Sequence, residues 1–203
     1  MKKFVLTACL VTLMADPVES ASLSKTYSYF TIGGTNLEEI EQELKRRGPQ
    51  VTSTGARHPG ATRMEFNTRV GYGERNGRCG VVEATVRVKA DMILPRWNRR
   101  KGSDSDTRFV WDTLSADIKR HEESHVVIAR NHARELEDAL KTIRNERSCE
   151  LAQEKAKQTS ARILAKHDRE QERFDKIEGI NFENRLLRLM RYRLEREAGQ
   201  APG

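Results

Sequence analysis

Hydrophobic positions along this chain change period several times, and each change marks an element. Lys25 to Ile32 alternates aromatic and small polar residues, which predicts a strand, and Gly33-Gly34 turns the chain. Thr35-Asn36-Leu37-Glu38 has the form of a capping box. Leu37, Ile40 and Leu44 then follow at helical spacing until Gly48-Pro49 stops the helix. Residues 50–61, with His58-Pro59-Gly60, read as a loop. Met64, Phe66, Val70 and Tyr72 next share one face of a strand, with Arg63, Glu65 and Arg69 on the other. The clearest strand is Val81 to Leu94. Its Val82, Ala84, Val86, Val88, Ala90 and Met92 point one way and Glu83, Thr85, Arg87, Lys89 and Asp91 the other. Pro95 and the polar stretch Asn98 to Asp106 are expected to end it.

From Thr107 to Asn145 the period becomes helical with no Gly or Pro inside. One stripe carries Leu114, Ile118, His121, His125, Ile128, Ala129, Leu136, Leu140 and Ile143. A charged segment, Leu151 to Gln171, has sparse apolar periodicity. Arg185 to Arg196 interleaves five Arg with Leu, Met and Tyr. The order β-α-β-β-α-α predicts an α+β domain: a small antiparallel sheet packed on a long helix, with a helical C-terminal extension. The boundaries that follow are residues 1–20 as a leader, 21–150 as the α+β domain and 151–203 as the charged extension, with 170–180 near enough to complete a site.

The leader reads as a secretory signal: Lys2 and Lys3, an apolar run from Phe4 to Met14, and a small-residue exit at Val18-Glu19-Ser20-Ala21. The run is too short to span a bilayer as a helix. Leu6-Thr7-Ala8-Cys9 has the outline of a lipoprotein box, but too few residues precede it for export. The expectation is an exported protein, periplasmic or secreted. Without Cys9, Cys79 and Cys149 form an even pair suited to one disulfide in an oxidising compartment. Apolar content of 36% against 33% charged residues allows a modest core beneath highly charged helices. The net charge of +7 permits nucleic-acid binding. Export and the lack of aromatic–basic interleaving on a strand face argue against it.

His121-Glu122-Glu123-Ser124-His125 carries the chemistry. It is an H-E-x-x-H sequence, in which imidazoles four apart share a helix face and can converge on one Zn2+, while the intervening carboxylate reaches the metal's water. The plain alternative is a purely structural histidine pair. Placing imidazoles on the stripe meant for the core favours the metal, because buried imidazoles need partners. A catalytic zinc takes three protein ligands. His132 shares the stripe, but an unbroken helix carries it about 13 Å from the middle of the pair. Glu178, in Phe174-Asp175-Lys176-Ile177-Glu178-Gly179, is the first choice for third ligand, ahead of Asp175, His167 and His58. Glu122 would be the catalytic base. For substrate, the Val81–Leu94 strand offers an edge along which a peptide could extend. Tyr72, Arg57 and His58 are available to stabilise an oxyanion, with no pattern that selects one.

The chain resembles a bacterial family of unassigned function described as predicted secreted zinc-dependent proteases, over roughly residues 27–180. The resemblance rests on an ordered set: Tyr29 to Gly33, Gly48-Pro49, Arg57, Thr62, Cys79, Pro95-x-Trp97, Trp111, His121-Glu122-x-x-His125 and Cys149. It implies a zincin-like fold, an exported location, His121 and His125 as zinc ligands and Glu122 as base. Ser124 stands where the family often has Gly. Asp175 and then Glu178-Gly179 stand where it tends to show an Asp followed by a His-Gly pair, which makes Glu178 a substitute ligand.

Two functions follow. One is an exported zinc metallopeptidase acting on a peptide or protein substrate. The other is a non-catalytic envelope or binding module that meets a surface or protein partner through the basic amphipathic segment Arg185–Arg196.

Overall fold

The structure, a computed structural model, describes residues 22–50 and 55–199. The expected signal segment, residues 1–20, lies outside the described residues. In chain order the elements are β1 (Ser22–Ile32), α1 (Leu37–Arg47), β2 (Ala61–Arg75), β3 (Arg78–Trp97), a short 3-10 turn (Arg100–Gly102), α2 (Ser105–Lys141), α3 (Cys149–Ile180) and α4 (Phe182–Gly199).

Local chemistry sets the helix starts. At α1 the reciprocal cap sits one residue later than the sequence pattern suggested. The Asn36 side chain accepts from the Glu39 N–H at 2.9 Å, and the Glu39 carboxylate takes the Thr35 N–H at 2.7 Å. Glu38 and Glu39 in the first turn and Lys45, Arg46 and Arg47 in the last complement the helix dipole. Asp104 caps α2 by accepting the Thr107 N–H at 2.7 Å, and Ser148 caps α3 through the Leu151 N–H.

The architecture is α+β, with a three-stranded sheet ordered β1-β3-β2. The sheet is mixed, where sequence reading expected antiparallel pairing. β2 and β3 form an antiparallel hairpin, but β1 runs parallel to β3, from Ser22 opposite Arg87 to Ile32 opposite Trp97. Asn76 and Gly77, both at positive φ (53° and 69°), make the tight turn whose twist suits a hairpin.

Two further differences lie on β3. The strand continues through Pro95, because β2 begins opposite Ile93 and the sheet is only two strands wide beyond it. Near its start the register jumps from Gly71 opposite Glu83 to Tyr72 opposite Val81, leaving Val82 as a bulge. The bulge reverses the phase, so Val81 is buried and Val82 faces out, the opposite of simple alternation.

The inner face of β3 (Ala84, Val86, Val88, Ala90, Met92, Leu94) is buried against α2. Leu136 and Leu140 of α2 are wholly buried, each worth roughly 1.5–3 kcal/mol of transfer free energy. α3 packs beside α2 through Ala152, Ala156 and Ile163, meeting Ala129 and Ala133 in one core cluster. A disulfide joins Cys79 to Cys149. It ties the start of β3 to the start of α3. Backbone bonds between Cys79 and Glu146 and from Val81 to Ile143 clasp the same turn. The C-terminal part is thereby held against the sheet, and α3 lies alongside the H-E-x-x-H segment.

Candidate metal centre

α2 and α3 together build the centre. His121 and His125 lie one turn apart on α2, with their Nε2 atoms 3.1 Å from each other. Across from them, Asp175 of α3 places Oδ1 3.2 Å from His121 Nε2 and 3.0 Å from His125 Nε2. Among the described residues these three form the one group whose ligand atoms all lie within 4.8 Å of one another. Three corners of a tetrahedron with arms of ~2.0 Å lie roughly 3.3 Å apart, so the donor set fits a zinc ion closely. Two imidazole nitrogens and one carboxylate oxygen are also a usual open-site set for zinc. Burial alone would raise the Asp175 carboxyl, but hydrogen bonds from His121 and His125 outweigh it and hold it far below the ordinary range.

A second row of side chains fixes the imidazoles. His125 Nδ1 lies 2.5 Å from Gln171 Oε1, which can only accept, so Nδ1 donates there and Nε2 is the ring atom turned to the centre. The Gln171 amide is oriented in turn by donating to the His125 carbonyl at 3.1 Å and to His167 Nε2 at 2.9 Å. His167 Nδ1 bonds Asp168 at 2.9 Å, which leaves its Nε2 as the acceptor. Phe174 stacks on His121 with ring centroids 5.0 Å apart and meets His125 edge-on at 5.1 Å. Burial lowers the His125 imidazole, yet its bonds to Asp175 and Gln171 prevail and the net shift is upward.

Glu122 is buried next to the triad, at 4% exposure. Thr62, at the start of β2, donates to its Oε2 at 2.7 Å. Its Oε1 lies where the loop before β2 passes, and a Cβ at Gly60 would stand 2.8 Å from it. Burial raises the Glu122 carboxyl, partly offset by the Thr62 bond. Glu122, His121 and Asp175 line a cleft of about 250 Å³ whose other walls include His58, Gly60, Phe182 and Arg185.

Glu178, the sequence-based choice for third ligand, is held elsewhere. Its carboxylate bonds Arg120 and lies 3.4 Å from Arg185, and it meets His121 only on the Nδ1 side, at 3.6 Å. Burial raises its carboxyl, but the Arg120 bond prevails and draws it down. It lies behind the His121 ring, and Asp175 stands with the two imidazoles in its place. Arg120 and Arg185 also bind the buried Asp117, which makes an ionic cluster beside the cleft. His132 is buried away from the triad, its Nδ1 bonded to the Ile128 carbonyl. His167 stands behind Gln171, and His58 lines the cleft without joining the triad.

From Arg87 to Ile93 β3 is paired on both sides, so over that half of Val81–Leu94 the edge proposed for a peptide is already occupied. Of the oxyanion candidates, Tyr72 packs against the core and Arg57 donates to the Gly48 carbonyl at 2.7 Å. Sequence reasoning missed Gln171, Phe174, Thr62 and Gly60. A signal for Gln171 existed: His167, Gln171 and Asp175 recur every four residues and so share one helix face.

Residues 27–183 match a family described as a bacterial protein of unknown function (DUF922). No curated protein and no solved structure matches the chain.

Proposed function

Because the chain belongs to this bacterial family of unknown function, we propose its activity from the site itself: an exported, zinc-dependent metallopeptidase of zincin-like design. The observation that carries the reading is the convergence of His121, His125 and Asp175 at the head of an open cleft, with the buried Glu122 carboxylate beside them. His121 Nε2, His125 Nε2 and an Asp175 oxygen would hold the ion. Bound there, zinc supplies an acidified water and a Lewis acid for a carbonyl oxygen.

The rest of the chemistry belongs to the chain. Glu122 takes the proton from the attacking water and delivers it to the leaving amine, the usual work of a carboxylate in this position. Thr62 fixes Glu122 through Oε2, so the carboxylate is oriented before substrate arrives. Gln171 sets the His125 tautomer, and Phe174 keeps both rings from turning out of the cleft. The Cys79–Cys149 bridge supports an oxidising compartment, in keeping with export.

The reading as a non-catalytic module working through Arg185–Arg196 is weakened by where its arginines go. Arg185 is spent on Asp117 and Arg193 reaches Asp112, so both serve internal packing. The test is zinc content together with peptide hydrolysis in three proteins. The wild type should carry one zinc and cleave, Glu122→Gln should keep zinc and lose hydrolysis, and His121→Ala should lose both. Wild-type protein that takes up no zinc would end the proposal.

A further inference from the structure

The metal cleft does not end at the triad. Pro59, Ile118 and Phe182 also line a second, largely apolar groove of about 350 Å³, which shares these three residues with the first as a common wall. Its floor is Ile40, Leu44 and Trp111, all buried. Its mouth carries Leu37 and Phe182, which remain 44% and 38% exposed. Exposed apolar residues leading down to a buried apolar floor, next to a polar reaction centre, have the form of a side-chain pocket.

We propose that this groove receives a bulky apolar side chain, of the Leu or Phe class, from the peptide substrate; the assignment rests on the metallopeptidase reading. α2 supplies the ruler. Ile118 precedes His121 by about 4.5 Å along the helix axis and Leu114 by about 10 Å, at ~1.5 Å per residue. An extended peptide advances ~3.3 Å per residue, so the groove meets a side chain one to three residues from the cut bond. The volume also selects the occupant. It stands near the lower end of ligand sites, which run from about 300 to 1,000 Å³, enough for one or two side chains. A docked helix, about 10–12 Å across, needs far more.

The chain carries its own reporter. Its two tryptophans are Trp97 and Trp111, packed with ring centroids 5.7 Å apart, and Trp111 lines the groove. Blocked pentapeptides Ala-Ala-X-Ala-Ala, with X as Leu, Phe, Ala or Asp, are titrated into zinc-loaded Glu122→Gln protein while tryptophan emission is followed. The same peptides are given to wild type for hydrolysis. The Leu and Phe peptides should bind at least tenfold more tightly than Ala and shift the emission. Leu37→Glu, at an exposed position, should bring Leu and Ala within about twofold of each other with zinc content unchanged. Leu186→Glu, on α4, is the second variant should the first misfold.

Equal binding of Leu, Ala and Asp peptides to a protein that holds zinc and cleaves overturns the groove assignment and leaves the peptidase reading intact. So does an emission change that follows protein concentration without peptide, with doubled mass in light scattering, since the occupant is then a second copy. Tight, emission-shifting binding of Leu and Phe peptides by a wild type that cleaves none supports the groove and refutes the peptidase reading instead.

Discussion

Gly60→Ala separates the position of the catalytic base from its presence. Gly60 lies outside the left-handed region, so alanine introduces no backbone strain there. The added Cβ would stand 2.8 Å from Glu122 Oε1 and 2.9 Å from Ile118 Cγ2, against ordinary contacts of 3.4–4 Å. Something must move by half an ångström or more. The loop has little room to retreat, because His58 N–H bonds the Pro49 carbonyl at 3.0 Å and Arg57 bonds the Gly48 carbonyl at 2.7 Å. Glu122 is therefore expected to swing, stretching its 2.7 Å bond from Thr62. Overpacking of this kind costs about 1–3 kcal/mol of stability. Misplacing a catalytic group by ~1 Å costs on the order of a hundredfold in rate. The expected result is kcat lowered by roughly ten- to a hundredfold with zinc stoichiometry unchanged, measured by peptide hydrolysis and metal analysis on the same preparation. Full activity, or activity lost only in proportion to zinc, would show that the space at Gly60 does not position Glu122.

Gln171→Leu removes the acceptor that fixes the His125 tautomer, and zinc affinity should fall by about 10–100-fold in a competition titration, with folding retained. An unchanged affinity would show that the amide does not orient the ring. Reduction of Cys79–Cys149, or its replacement by two serines, opens a link spanning 70 residues, worth about 4 kcal/mol in the chain-entropy model. That corresponds to a Tm lower by roughly 8–16 °C for a chain of this size, read by thermal unfolding with and without reductant. Glu43 accepts from Arg46, from the Gly33 N–H and from Arg47, and the Arg46 bond above all holds its carboxyl down to about 2 from 4.5. A depressed folded value stabilises above the unfolded one and is lost as pH falls through the folded one. The stability difference between wild type and Glu43→Gln should therefore be full above pH 4.5 and shrink towards pH 2. A difference that is flat across that window in denaturation midpoints would contradict it.

What the sequence made legible was whatever a local period or a fixed spacing encodes. α2 could be drawn from its apolar stripe, and the H-E-x-x-H pair from the four-residue repeat of one helix face. The disulfide followed from cysteine count and compartment. What stayed hidden depends on how elements meet. The parallel pairing of β1 with β3 leaves no trace in the alternation of either strand. The Val82 bulge inverts a phase that looked regular, and only the register against Gly71 and Tyr72 reveals it. α3 seemed weakly periodic because its buried face uses Ala152 and Ala156, small residues that bring it close to α2. Asp175 and Glu178 stand three residues apart on that helix, and both can face α2. The choice between them turns on Arg120 and Arg185, which claim Glu178 from two other helices.

Every step proposed for the site depends on one zinc ion held by two residues of α2 and one of α3. Anomalous-difference density collected at the zinc edge from a crystal of the zinc-loaded protein tests it most directly. A single peak is expected about 2.0–2.2 Å from His121 Nε2, His125 Nε2 and an Asp175 carboxylate oxygen, with Glu178 still bound to Arg120 and Arg185. No peak at this position, or a peak ligated by Glu178 or His58 with Asp175 turned away, would contradict it.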